Sequence, residues 1–268
     1  MKIETVTKAW INAILLIITL VINSLGAAGL ISGLTQKEIS DMYLTIITPS
    51  PASFSIWSLI YTTLILSSIV MIIQVKKQNA YYLKVVDAIS VLFWISSLLN
   101  VAWIVSFSFL LVELSTIFIF GFVVVLSMIL QKLLKLQEGK RWLLPLAFGL
   151  YTGWLFIATV VNIAAALVKL NWDGFGIAAS VWAAIILVIA VALIVVVQLR
   201  NRNAIFPLPI AWAYFGIYQF LRSPEGFNGQ YGLVQVVALI GMAVLIGAAA
   251  IHFYRNQFGV LPKPSKAD

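Results

Sequence analysis

Residues 85–107 read VVDAISVLFWISSLLNVAWIVSF and carry a single ionisable side chain, Asp87. An apolar run of about 20 residues is long enough to cross the hydrocarbon core of a bilayer as one helix. This stretch therefore predicts a transmembrane helix, and the rest of the chain repeats the same pattern.

Eight apolar runs of this kind follow one another along the chain. They lie near 10–31, 53–74, 85–107, 112–133, 143–168, 175–198, 204–221 and 231–254. The seventh run is the weakest, because it is short and begins with Pro207 and Pro209. A re-entrant segment is the alternative for that run. The expected fold class is all-α, a polytopic membrane protein with about eight transmembrane helices.

The composition excludes whole classes of protein. Of the 268 residues, 62% are hydrophobic and only 10% are charged, whereas a soluble domain is roughly 45–50% apolar and about 25% charged. A soluble enzyme and a disordered chain are therefore excluded. The net charge of +8 does not indicate nucleic acid, because the basic residues are scattered between apolar runs and such flanking charges set membrane orientation. The expected surroundings are a lipid bilayer, with no nucleic-acid partner.

The positions of Lys and Arg predict the orientation in the membrane. With eight spans, 14 of the 17 basic residues fall on the side that holds both termini, and only Lys37, Lys169 and Arg222 fall on the other side. Because cytoplasmic loops carry the excess of basic residues, we expect a cell-membrane protein with both termini cytoplasmic. A cleaved signal peptide is the alternative for the first run, since SLGAA at 24–28 offers small residues. Its apolar stretch is longer than a usual signal core, which favours retention.

Few side chains are candidates for catalysis or metal binding. The chain has no cysteine and one histidine, His252, which excludes disulfides, cysteine-ligated metals and multi-histidine metal sites. No serine stands in a motif with an acid and a histidine. We therefore expect no catalytic residue, no metal and no enzymatic activity. Asp87, Glu113 and His252 lie near span ends, where an interfacial position is favoured over a proton relay or a haem ligand.

Three clusters place aromatic and amide side chains on one face of a helix, at spacings of three or four residues. They comprise Trp57 and Tyr61 in the second run, Asn100, Trp103 and Phe107 in the third, and Trp154, Ala158 and Asn162 in the fifth. Lipid offers an amide no hydrogen bond, so each Asn must point at protein, water or a ligand. On residue type alone, hydrogen bonding between helices is favoured over ligand binding for both.

Together the three clusters resemble the translocator protein / tryptophan-rich sensory protein (TspO/MBR) family. That family has F…W…Y in its second helix after a proline-containing loop, LNxxW in its third and WxxxATxxN in its fifth. The motifs stand here as Phe54, Trp57 and Tyr61 after Pro49 and Pro51, as Leu99, Asn100 and Trp103, and as Trp154, Ala158, Thr159 and Asn162. Each motif is weak alone, but three in this order are much more specific.

The resemblance covers residues 1–170 and implies a five-helix membrane domain around a pocket, closed by the first extended loop. It implies a hydrophobic small-molecule ligand, such as a porphyrin or haem, or a sterol-like lipid, with no required cofactor. Carried over residue by residue, the ligand-binding positions would be Trp57, Tyr61, Asn100, Trp103, Trp154, Ala158 and Asn162, with Tyr43 and Pro49 in the lid. Residues 171–268, expected as three further spans and a short cytoplasmic tail, resemble the C-terminal part of the longer bacterial members.

The expected function is that of a membrane ligand-binding or sensory protein. The alternative is a small secondary transporter for a hydrophobic or amphipathic substrate, with the proline-bearing seventh run as a broken span. Glycine steps such as Gly149 and Gly153 permit close helix packing and make a homodimer possible.

Overall fold

The computed structural model describes residues 3–138 and 141–263. Every regular element in these ranges is helical, which confirms the all-α fold class. The α-helices are α1 (Thr5–Ala27), α2 (Gln36–Met42), α3 (Ile56–Lys76), α4 (Ala80–Ser108), α5 (Val112–Lys135), α6 (Leu143–Lys169), α7 (Ala179–Asn201), α8 (Pro207–Arg222) and α9 (Gly232–Arg255). Short 3-10 helices at Pro51–Ser55 and Gly174–Gly176 precede α3 and α7. The end of the predicted cytoplasmic tail, 264–268, lies outside the described residues.

Within the described ranges, seven helices are long and apolar enough to cross a membrane: α1, α3, α4, α5, α6, α7 and α9. They correspond to the first six predicted runs and the eighth, so the chain is a multi-pass membrane protein. The seventh run forms α8, which has 16 residues. At 1.5 Å per residue it is about 24 Å long, less than the roughly 30 Å of a bilayer core.

Protein rather than lipid surrounds most of α8, and this explains how so short a helix fits the bundle. Ten of its 16 residues are buried. Before it, the Asn203 side chain donates to the carbonyl of Pro145 at the start of α6 (2.8 Å) and accepts from the backbone N–H of Ile205 and Phe206. After it begins, Pro207 occupies the first turn, where a helix needs no backbone donor. The irregular backbone before α8 is thus satisfied by protein groups, as membrane depth requires.

The two glycines of α6, Gly149 and Gly153, pack against another segment of the same chain. A Cβ added at Gly153 would lie 2.3 Å from the carbonyl oxygen of Phe206, and one at Gly149 would lie 2.8 Å from Oδ1 of Asn203. The connection into α8 therefore occupies the groove that these two glycines leave open. Because the groove is filled by the same chain, Gly149 and Gly153 offer no contact surface to a second copy. The homodimer stays a prediction.

Polar contacts hold α1 against α4 along much of their length. The Lys8 ammonium donates to Asp87 (2.7 Å), the Asn12 amide donates to Ser90 Oγ (3.0 Å), and the Trp94 indole N–H donates to Asn12 Oδ1 (2.7 Å). At the opposite end of the bundle, Lys169 of α6 pairs with Glu113 of α5 at 2.6 Å. Both carboxylates that the sequence offered as proton-relay alternatives, Asp87 and Glu113, are therefore engaged in ion pairs between helices.

We expect Gly153→Ala to destabilise the protein, because the new methyl group would force α6 away from the start of α8. Overpacking of this kind typically costs about 1–3 kcal/mol. Thermal unfolding of the purified protein, followed by circular dichroism, measures the effect. The control is Gly247→Ala in α9, where an added Cβ meets no atom within 4 Å. Equal melting temperatures for the two variants would show that α6 and α8 do not pack this closely.

Candidate ligand-binding cavity

A cavity of about 720 Å³ lies between α1, α3, α4 and α6, beneath the connection formed by residues 28–55. Its lining extends along α6 from Trp154 to Ala165, which corresponds to roughly 16 Å of helix. Small-molecule sites typically enclose about 300–1,000 Å³ and are lined mainly by apolar and aromatic groups. The cavity has the size and character of such a site.

Aromatic rings form the inner wall of the cavity. The Trp57 indole stacks on the Tyr61 ring, with centroids 5.0 Å apart and an interplanar angle of 24°. It meets the Trp154 indole edge to face at 6.2 Å, and Phe54 meets Trp154 in the same way at 5.7 Å. Trp57 and Tyr61 come together because they are four residues apart on α3 and so share one face. The rings fix one another and leave a polarisable surface facing the cavity.

The structure brings most of the predicted site residues together around this cavity. Its lining includes Trp57, Tyr61, Trp103, Trp154, Ala158, Asn162 and the predicted lid residue Pro49. Two predicted residues, Asn100 and Tyr43, are not part of the lining. Convergence places these side chains at one site, while their role in binding a ligand stays a prediction.

Asn100 lies fully buried behind the cavity wall. Its Oδ1 accepts from the Asn23 amide of α1 (2.6 Å), and its own amide donates to the Tyr151 hydroxyl of α6 (3.2 Å). The amide therefore joins α1, α4 and α6. Its effect on a ligand would pass through Asn23, which does line the cavity. Tyr43 packs instead against the apolar cluster of Val112, Ala165 and Ala166, of which Ala165 lines the cavity.

Asn162 lines the cavity, but its hydrogen bonds go to neighbouring helices. Its amide donates to Ser115 Oγ (3.0 Å) and Thr116 Oγ1 (2.7 Å) of α5. Its Oδ1 accepts from the indole N–H of Trp103 on α4 (3.0 Å). This is the interhelical bonding that residue type alone favoured, and it fixes the Trp103 ring at the cavity wall.

Sequence reasoning missed three groups of lining residues. Asn23 was detectable, since it is an amide in an apolar run, the same signal that picked out Asn100 and Asn162. Lys37 and Asp41 line the cavity from α2, and Phe220 and Glu225 line it from the C-terminal part of the chain. No sequence pattern connects residues near 220 with the first five helices, so that contribution could not be foreseen.

The described residues contain no group of three or more His, Asp or Glu side chains placed to hold a metal ion. His252, the single histidine, is buried in the last turns of α9, and it is not part of the cavity lining.

The fold and the cavity define a class: a polytopic helical membrane protein with an internal, aromatic-walled cavity. A family model described as TSPO-like protein matches residues 9–251. The chain therefore belongs to the TSPO-like family, which confirms the resemblance carried by the three motifs. The match continues beyond residue 170 through α7, α8 and most of α9. No curated protein and no solved structure matches the chain.

We expect Trp103→Phe to lower stability, because phenylalanine keeps a ring at the wall but loses the N–H that binds Asn162. Hydrogen bonds between membrane helices contribute about 0.6 kcal/mol on average and up to about 1.7 kcal/mol. Thermal unfolding measures the loss. The matched control is Trp142→Phe, since Trp142 is 58% exposed and its side chain makes no capping hydrogen bond. A Trp103→Phe protein as stable as the control would contradict the interhelical role of this indole.

Proposed function

We propose that this TSPO-like protein binds a planar hydrophobic small molecule, such as a porphyrin or a sterol-like lipid, in its intramembrane cavity and acts as a ligand-binding or sensory protein. The observation that carries the proposal is the aromatic wall: Trp57, Tyr61 and Trp154 lie side by side along a cavity of about 720 Å³. Indole and phenol rings offer flat surfaces on which a fused-ring ligand can stack.

The state of the buried amides supports an apolar ligand. Asn162 bonds to side chains of α4 and α5, and Asn100 bonds to α1 and α6. These groups are already paired, so a ligand gains little by offering them hydrogen bonds. Affinity would come mainly from ring stacking and from removing apolar surface from lipid or water. Of the other two lining amides, Asn23 already donates to the Thr19 carbonyl and to Asn100, and the buried amide nitrogen of Gln36 is the one left free to donate to a ligand.

The first connection is arranged to cover such a ligand. The capping box between Thr35 and Glu38 fixes the start of α2: the Thr35 hydroxyl accepts from the Glu38 N–H (3.1 Å), and the Glu38 carboxylate accepts from the Thr35 N–H (2.7 Å). The Glu38 carboxylate accepts from the Thr35 hydroxyl as well (2.8 Å), and these two hydrogen bonds to the carboxylate, from the Thr35 backbone N–H and from its hydroxyl, hold the pKa of Glu38 below its usual value. Lys37, Ser40 and Asp41 of α2 then lie along the cavity. In this proposal α2 is the cover of the site.

The proposed location is the cell membrane, with both termini cytoplasmic. Basic residues concentrate at the end of the bundle where α3 and α5 end, among them Lys76, Lys132 and Lys135. The cavity opens at the opposite end, where Lys37, Lys169 and Arg222 are the basic residues of the connections and helix ends. The positive-inside rule then puts the cavity mouth on the non-cytoplasmic side.

We expect Ala158→Phe to abolish most porphyrin binding, because a benzyl group at this lining position would fill space that the ligand needs. The expected loss of affinity is at least about tenfold, which corresponds to about 1.4 kcal/mol. Binding is measured on the purified protein in lipid nanodiscs, from the change in porphyrin absorbance and from quenching of tryptophan fluorescence.

The matched control is Ala243→Phe, which adds the same group at an exposed position of α9. It should bind as the unmodified protein does, so that unspecific partition of porphyrin into the disc is separated from binding in the cavity. Equal affinity of the Ala158→Phe protein and the control would refute binding in this cavity.

A further inference from the structure

The cavity mouth carries more negative than positive side chains. Among the described lining residues, the side chains that are charged at neutral pH are Lys37, Asp41 and Glu225. Two carboxylates therefore face one ammonium group. All three residues are exposed, whereas the inner wall is formed by the rings of Trp57, Tyr61 and Trp154.

The one ammonium group is already paired. Lys37 donates a hydrogen bond to Asp41, four residues further along α2. This bond, and the attraction of Asp41 and then of Glu225, raise the pKa of Lys37 above its usual value. The Lys37–Asp41 pair is close to neutral as a unit. Among the side chains that line the cavity, the remaining charge is the carboxylate of Glu225; Arg222 and Lys169 lie at the same end of the bundle but are not part of the lining.

Glu225 is held in place by the backbone of the C-terminal part. The turn after α8 is closed by hydrogen bonds from the Gly229 N–H to the Leu221 carbonyl (2.8 Å) and from the Asn228 N–H to the Ser223 carbonyl (3.0 Å). The backbone N–H of Glu225 itself donates to Ser223 Oγ (3.1 Å). This turn fixes the backbone position from which the Glu225 side chain extends at the mouth.

Helix α8, which precedes this turn, is itself held against the rest of the bundle. The Ser50 N–H donates to the Gly216 carbonyl (3.0 Å), and the Trp212 indole N–H donates to the Ser53 carbonyl (2.9 Å). A Cβ at Gly216 would lie 1.8 Å from Ser53 Oγ, so the two segments are in contact. Phe220, at the end of α8, is buried and lines the cavity next to this turn.

We infer that the C-terminal part completes the mouth of the cavity, with Phe220 as wall and Glu225 as a negative charge, and that the mouth selects against anionic ligands. The inference rests on the proposed function and narrows it. The ligand is a fused-ring apolar molecule whose outer end is neutral or cationic, and Glu225 is a specificity-determining residue. A ligand with carboxylates at that end would bring like charges together.

The test uses three porphyrins that share one macrocycle: protoporphyrin IX with two carboxylates, its neutral dimethyl ester, and a bis-amide with two quaternary ammonium groups. The full-length protein is placed in phosphatidylcholine nanodiscs at low ionic strength, because salt screens exposed charges. For each probe, the affinity of the Glu225→Gln protein is divided by that of the unmodified protein. This ratio cancels differences in how the probes partition into lipid.

We expect Glu225→Gln to weaken the cationic probe and strengthen the anionic probe, each by about two- to fivefold, as is usual for exposed charge pairs. The diester should not change. Glu225→Lys should enlarge both effects. Asp173→Asn is the matched control: it removes a carboxylate from the connection between α6 and α7 and keeps the acceptor that caps Phe175. This position does not line the cavity, and the variant should change none of the ratios.

The outcomes separate the two proposals. Ratios that are the same for all three probes, or an anionic probe that binds less well to Glu225→Gln, would overturn the role of Glu225 while leaving the cavity as the site. Failure of every probe to bind, or binding that Ala158→Phe does not reduce, would overturn the proposed function and this inference with it.

Discussion

Hydrocarbon cannot satisfy a hydrogen-bond donor or acceptor, and the packing of α1, α4, α5 and α6 follows from that constraint. Several short hydroxyl side chains in this bundle meet it within their own helix: Ser97 donates to the Phe93 carbonyl and Thr152 to the Phe148 carbonyl, a common local solution. A carboxamide has two donors and two acceptor lone pairs, more than its own helix can satisfy. The amides therefore reach across to other helices and bind them together.

The same constraint gives the cavity its character. Because Asn100 and Asn162 are paired with α1, α5, α6 and the Trp103 indole, their polarity is removed from the site. The inner wall is then mainly ring surface, with Trp57 held on Tyr61 and against Trp154, while polar side chains such as Asn23 and Gln36 line the part of the cavity next to α1 and α2. The polar contacts thus determine where the helices lie, and the aromatic residues determine what the space between them can accept. The amides and the aromatic residues of the three motifs therefore do different things: the amides join helices, and the rings form the cavity wall.

Most of the fold could be predicted from the sequence, because membrane spans can be recognised by length and apolar composition alone. The helical faces that carry Trp57, Trp103 and Trp154 were also predictable, since spacings of three and four residues align side chains on one side of a helix. The placement of Asn100 was not. Spacing puts it on the face of Trp103, but it cannot tell a side chain that reaches the cavity from one that binds Asn23 and Tyr151 behind the wall.

Contacts between distant parts of the chain were also beyond prediction. The docking of α8 depends on Gly153 and Gly216, where the missing side chains let backbone or side-chain oxygens approach closely. A glycine step in a sequence indicates that something packs there, but not what. The step on α6 suggested a second copy of the chain, whereas the structure fills it with the start of α8 from the same chain.

The short α8 links these observations. A helix of 16 residues cannot bring both of its ends to the membrane surface, so backbone groups at an end that stays within the bilayer must be satisfied by protein. Asn203 does this before the first turn, and the N–H groups of Phe227 and Gly229 bind the carbonyls of Phe220 and Leu221 in the last turn. Within the helix, the Gly216 carbonyl accepts from the Ser50 N–H, so α8 is held between α6 and the 3-10 helix that leads into α3. A turn that begins where such a helix ends has a defined position relative to the cavity. For this reason a carboxylate on that turn, Glu225, would meet the outer end of a ligand whose rings pack against Phe220 of α8 in the proposed site.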